Sequence, residues 1–93
     1  MAEIVKDVKF KVIKLKLVEL IEVNPYAMGI CDCCGQASFD GYYIAVLNSY
    51  YCPKCYEDWL KRAVYYPEDA PIEEKNFAFW KNELQEKGFL DAE

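Results

Sequence analysis

The stretch CDCCGQASFDGYYIAVLNSYYCPKCYEDWLKRAVYY, residues 31–66, decides how this chain is read. It opens with Cys31-x2-Cys34, continues for 17 residues and then presents Cys52-x2-Cys55. Two residues between cysteines let one tight turn aim both sulfurs at a single ion, and two such turns at this separation complete a tetrahedral four-thiolate site. Gly35 follows Cys34, where the turn needs a left-handed residue that glycine adopts without steric cost. Pro53 fixes φ just after Cys52. Cys31, Cys34, Cys52 and Cys55 are therefore the expected Zn2+ ligands, in a closed, structural site. The chain contains no histidine, which excludes mixed cysteine–histidine centres and histidine-held catalytic zinc.

Two competing readings use the same cysteines. Disulfides staple many small secreted domains. The N-terminus MAEIVKDVKFKVIKLK, however, lacks the unbroken apolar core and small-residue cleavage site of a secretion signal, and the expected location is cytoplasmic. Rubredoxin-type iron centres use CxxCG followed by CPxCG, but here Cys55 is followed by Tyr56, so the second turn departs from that pattern. The fifth cysteine, Cys33, is expected to be a free thiol acting as a small filler residue. Serving as a ligand in place of a neighbour would make a poorer turn and leave Gly35 one position out of place.

The remainder of the stretch supplies the frame around the turns. GYYIAVL at 41–47 is rich in strand formers, Asn48-Ser49 can turn, and Tyr50-Tyr51 can return as the partner strand. After Cys55, the residues Trp59, Leu60, Ala63 and Val64 recur like one face of a helix that begins at the second turn. Knuckle, hairpin, then a helix carrying the last two ligands resembles a treble-clef zinc finger of the broad group that includes LIM-like halves. The resemblance covers residues 31–66 only and rests on Cys31, Cys34, Cys52 and Cys55. It implies a structural zinc with the second pair at a helix N-terminus, and it carries no particular activity.

Outside the finger, VKFKVIKLKLVELIEV reads better as strand than as helix, because helical spacing would scatter its lysines around the whole cylinder. A long strand with one bulge near Val12-Ile13 would bring Val8, Phe10, Val12, Ile13, Leu15 and Leu17 onto one face, and two short strands serve equally. Beyond Leu17 neither period holds, and Asn24-Pro25 ends the segment. The lysines are expected to form a solvated edge rather than a phosphate-binding strip. A C-terminal helix is expected near 71–87, with Asp69 as cap, Pro71 in the first turn, Glu73 and Glu74 favoured by the helix dipole, and Gly88 as its stop. Phe77, Trp80 and Leu84 form its apolar stripe, flanked by Phe79, and should dock it on the sheet.

The whole chain is expected to be one α+β domain over 1–93, with an N-terminal strand region at 1–25, the four-cysteine finger at 26–66 and the C-terminal helix region at 67–93. Its 93 residues are 54% hydrophobic and 29% charged, well outside the composition of disordered chains. No apolar run approaches the roughly 18 residues of a membrane span. Net charge is −5, with eight acidic residues against three lysines in 67–93, and four thiolates on one Zn2+ would carry about −2 more. General nucleic-acid binding is disfavoured by that balance, although a nucleic-acid or transcription accessory role is the alternative reading. Two Trp, eight Tyr and five Phe exceed what so short a chain can bury, so the finger tyrosines are expected to leave an aromatic patch for a protein partner or a second copy. No nucleophile–base pair or phosphate loop is present, and a catalytic role is not expected.

Overall fold

The computed structural model describes residues 2–6 and 8–90. The elements are β1 (Glu3–Ile4), β2 (Val12–Lys16), α1 (Leu17–Val23), β3 (Asp40–Ile44), β4 (Ser49–Tyr51), α2 (Pro53–Arg62), a 3-10 turn at Pro67–Asp69 and α3 (Ala70–Glu86). The four strands form one antiparallel sheet in chain order, β1-β2-β3-β4. Its register places Ile13 opposite Ile4 and Tyr43, and Tyr43 opposite Tyr50. The fold is α+β.

The sheet is covered on both faces, and this corrects the reading of the N-terminal stretch. Alternation sends Ile13, Leu15, Tyr43, Ala45 and Tyr50 to one face, where they pack with Trp80 and Leu84 of α3 and Leu20 of α1. Val12, Ile44 and the half-buried Tyr42 and Tyr51 go to the other face, under Tyr56 and Trp59 of α2 and beside Phe10. Val12 and Ile13 thus point opposite ways, and both are fully buried. No bulge is needed to unite the apolar side chains, because each face has its own helix to meet them. Two short strands, β1 and β2, replace the long one. Lys14 and Lys16 remain exposed on β2, and in the register they lie opposite Glu3 and Asp40 respectively.

Beyond Lys16 the chain becomes helical. Leu17 donates its N–H to Phe39 O (2.7 Å), which ends strand pairing, and the Lys16 N–H is taken by Glu19 Oε1 (2.8 Å) at the start of α1. Asn24 closes this helix by donating its N–H to Leu20 O, just ahead of Pro25. The switch from period 2 to period 3.6 within three residues is why neither pattern persisted there.

Helix α3 runs where the C-terminal helix was expected, with residues 91–93 of that region outside the described residues. Trp80 and Leu84 are buried, Phe77 is partly buried, and Trp80 stacks on Tyr43 with ring centroids 4.5 Å apart. Asp69 occupies the N-cap position of α3 as expected, but its side chain does not cap the helix. That residue lies in the 3-10 turn with helical backbone angles and makes no side-chain capping bond. Glu73 lies in the first turn of α3 as expected and has a second role: it is 3% exposed, and its Oε2 accepts the Lys11 N–H at 3.0 Å, tying α3 to the chain entering β2. At the other end, Gly88 at φ +79° donates to Gln85 O and Phe89 donates to Leu84 O (2.9 Å), a Schellman termination in which glycine occupies the left-handed position. Phe89 in turn accepts the N–H of Ala2, just before β1, at 2.8 Å.

Most finger tyrosines are consumed by this packing instead of forming a surface patch. Tyr43, Tyr50 and Tyr56 are buried, Tyr42 stacks on Tyr56 at 4.0 Å, and Phe10 packs against Trp59 at 4.6 Å. Burial raises the Tyr43, Tyr51 and Tyr56 hydroxyls above their usual range and, aided by the Asp40 charge, pushes Tyr50 up to about 12. A tyrosine pKa raised by folding favours the native state only while the unfolded hydroxyl stays neutral. Stability should therefore hold up to about pH 10 and fall as the pH rises toward 12. Urea unfolding with tyrosinate absorbance measures this, and a midpoint unchanged across that interval would contradict the packing described.

Candidate metal centre

The first knuckle sits at the tip of a narrow loop. Ile30 and Ala37 bridge across its base, Ser38 donates to Gly29 O, and Cys31 donates to Gln36 O, each hydrogen bond at 2.9 Å. Gly35 lies at φ +75° and donates to Cys31 O at 2.9 Å, so the turn after Cys34 takes the left-handed residue it was expected to need. The second knuckle is the start of α2. Cys52 occupies the capping position in extended conformation, Pro53 opens the first turn, and Cys55 lies in the same turn. Thiolates placed there also meet the positive end of the helix dipole.

These two segments bring the Sγ atoms of Cys31, Cys34, Cys52 and Cys55 within 4.8 Å of one another. The Cys34 and Cys52 sulfurs are 3.9 Å apart. A disulfide requires about 2.05 Å, and all five cysteines are free thiols. A tetrahedron with Zn–S bonds of about 2.3 Å has edges near 3.8 Å, so the four-sulfur donor set fits a metal ion of that size. Cys31 is buried, Cys52 and Cys55 are half-buried, and Cys34 is exposed.

The sulfurs do not titrate alike. Burial pushes the Cys31 thiol up, but hydrogen bonds from the backbone N–H groups of Cys34, Cys52 and Cys33 outweigh it and bring it down to about 7. Cys55 goes the other way. Hydrogen bonding to the Cys52 sulfur, then burial and the other sulfurs, holds its thiol far above the usual range. Four sulfurs this close cannot all ionise at neutral pH unless a cation shares the space.

A residue that spacing alone did not mark fastens the first knuckle to the sheet. Asp32 donates its N–H to Tyr50 O (2.9 Å) and accepts the Tyr50 N–H through Oδ2 (3.0 Å), so both backbone groups of Tyr50 in β4 are held by one knuckle residue. The Tyr50 hydroxyl reaches Ser38 O at 3.0 Å. Its ring covers Gly41, where any Cβ would come within 2.5 Å of the ring. An Asp flanked by Cys31 and Cys33 within the first knuckle was the available signal.

Cys33 lies outside the four-sulfur group as a free thiol, as expected, but it is exposed and fills no interior space. Its contribution is a backbone N–H directed at Cys31 Sγ (3.4 Å). Among the described residues, no helix is long and apolar enough to cross a membrane.

Asp32→Ala removes the side-chain acceptor of a backbone N–H in β4. It should cost about 1–2 kcal/mol of stability and loosen metal retention, whereas Asp32→Asn keeps an acceptor and should preserve both. Chemical denaturation and competition with a metal chelator measure the two effects; equal behaviour of Asp32→Ala and the native chain would show that the tie carries no load.

No family model matches the chain, and no curated protein or solved structure matches it significantly.

Proposed function

We propose that this chain is a zinc-stabilised module of the treble-clef kind, in which Cys31, Cys34, Cys52 and Cys55 hold one structural Zn2+ and the surface around them contacts a protein partner. The convergence of four free sulfurs from two separate turns within 4.8 Å carries this reading. The order of knuckle, β3–β4 hairpin and α2, with the second cysteine pair in the first turn of α2, supports the treble-clef reading. Bound there, zinc would supply folding free energy, roughly 10–16 kcal/mol in structural sites. That matters for a chain with two small cores sharing one sheet, an arrangement that favours a single domain. A shell of four thiolates leaves no open coordination position, and the chain has no histidine, so the role proposed is binding without catalysis in a thiol-preserving cytoplasmic compartment.

The protein-contact half of the proposal draws on exposed apolar side chains that the core does not use: Tyr26 (91% exposed), Phe39 (80%), Met28 (76%) and Val18 (66%). Val18 lies on α1, and the others lie on the segments leading into and out of the first knuckle. The alternative nucleic-acid role is weakened by the sheet register, which sets Lys14 against Glu3 and Lys16 against Asp40, while Lys11 lies over the Phe77 ring at 5.2 Å.

Elemental analysis should find one zinc per chain. Each of the four Cys→Ser variants should lose metal and stability together, and acidification should release zinc as protons take the thiolates. Unchanged zinc content in all four variants would refute the ligand assignment. Phe39→Ser should keep its zinc yet lose partner capture; retained capture would move the contact surface elsewhere.

A further inference from the structure

A cavity of about 340 Å3 opens beside the first knuckle, between α1, the hairpin turn and α3. Its volume lies at the lower end of the range for small-ligand sites, about 300–1,000 Å3. Four aromatic side chains line it: Trp80, Tyr43 and Tyr50 from the interior and Tyr26 at the rim, with Met28 beside Tyr26. Asp32 is the one charged residue in its lining, and no lysine or arginine contributes to it. The Asp32 carboxylate is aimed by its bond to the Tyr50 N–H through Oδ2, which leaves Oδ1 without a hydrogen-bond partner among the described residues. Tyr43 gives its proton to Asn48 Oδ1 at 2.7 Å, so its hydroxyl has only lone pairs left to offer.

Aromatic walls, one oriented carboxylate and no basic neighbour together select for a cation that carries several hydrogen-bond donors. An ammonium group has three donors and no acceptor, and it is attracted both to a carboxylate and to ring faces. The surrounding charge has the same preference: the chain carries −5, and a zinc–thiolate centre next to Asp32 would add more negative charge. We infer that this cavity is a binding site for a lysine side chain presented by a basic segment of the partner protein. The inference deepens the proposed interaction role and rests on it.

The probe is a short acetylated and amidated Gly-Lys-Gly peptide, compared with its norleucine counterpart, which has the same alkyl stem without the charge. Amide NMR spectra of the full chain follow Gly29, Ile30, Asn48 and the Trp80 indole. The lysine peptide should shift these signals at millimolar concentration, the norleucine peptide should not, and added salt should weaken the effect. Asp32→Asn keeps the acceptor for Tyr50 and should weaken binding about tenfold. Tyr26→Ala, at an exposed rim position, should weaken it several-fold without altering the fold. Equal shifts from the two peptides would make the cavity an apolar slot and overturn the inference, as would silence from both or full affinity in Asp32→Asn. Zinc content of the same samples separates the two readings. A zinc-loaded chain without lysine selectivity sinks this inference alone, whereas lysine selectivity in a chain that never holds zinc sinks the zinc reading alone.

Discussion

Asp32 and Tyr50 exchange two hydrogen bonds, and through that pair the first knuckle acquires its position relative to everything else. A loop of this size has little apolar surface to bury, so its placement depends on backbone groups finding partners. Tyr50 supplies them from β4, while its ring rests on Gly41 of β3 and its hydroxyl holds Ser38 at the base of the loop. One strand further in, Tyr43 lies opposite Tyr50 and stacks on Trp80 of α3. The path from Cys31 to the C-terminal helix is thus a short series of direct contacts, and the geometry of the sulfurs is inherited from the packing of the sheet.

The sheet is small, with strands of two, five, five and three residues. Covering both of its faces divides the apolar residues into two clusters, neither of which resembles the single core of a larger domain. Aromatic side chains compensate by burying large areas per residue, and they do so in pairs: Phe10 with Trp59, Tyr42 with Tyr56, Tyr43 with Trp80. A metal centre joining the loop before β3 to the helix after β4 would close the structure around the hairpin. This explains why so modest an interior accompanies so many cysteines.

The parts of this architecture that were legible in the sequence are those encoded locally. Cysteine spacing, the left-handed glycine after Cys34, the proline opening α2 and the stripe of Phe77, Trp80 and Leu84 each specify their structure within a few residues. The parts that were not legible depend on partners distant in the chain. Val12 and Ile13 could be assigned to faces only once helices were known to lie on both sides of the sheet. Glu73 could be read as an acid favoured by the helix dipole, but its burial could not, because its partner is the Lys11 N–H, 62 positions earlier. Asp32 was hidden among the cysteines, and its role appears only when β4 is placed beside it. The tyrosines were counted as surplus from the size of the chain alone; a sheet covered on both faces buries Tyr43, Tyr50 and Tyr56 and half-buries Tyr42 and Tyr51.

The ends of the sheet have a consequence for how the molecule meets others. At the β4 margin, Asp32 occupies both backbone groups of Tyr50, and beside β1 the Ala2 N–H is taken by Phe89. Unpaired strand margins are templates on which further chains can grow, and at β4 that template is occupied. The β4 edge is thereby closed to strand addition, and an associate meeting that margin must be recognised through side chains.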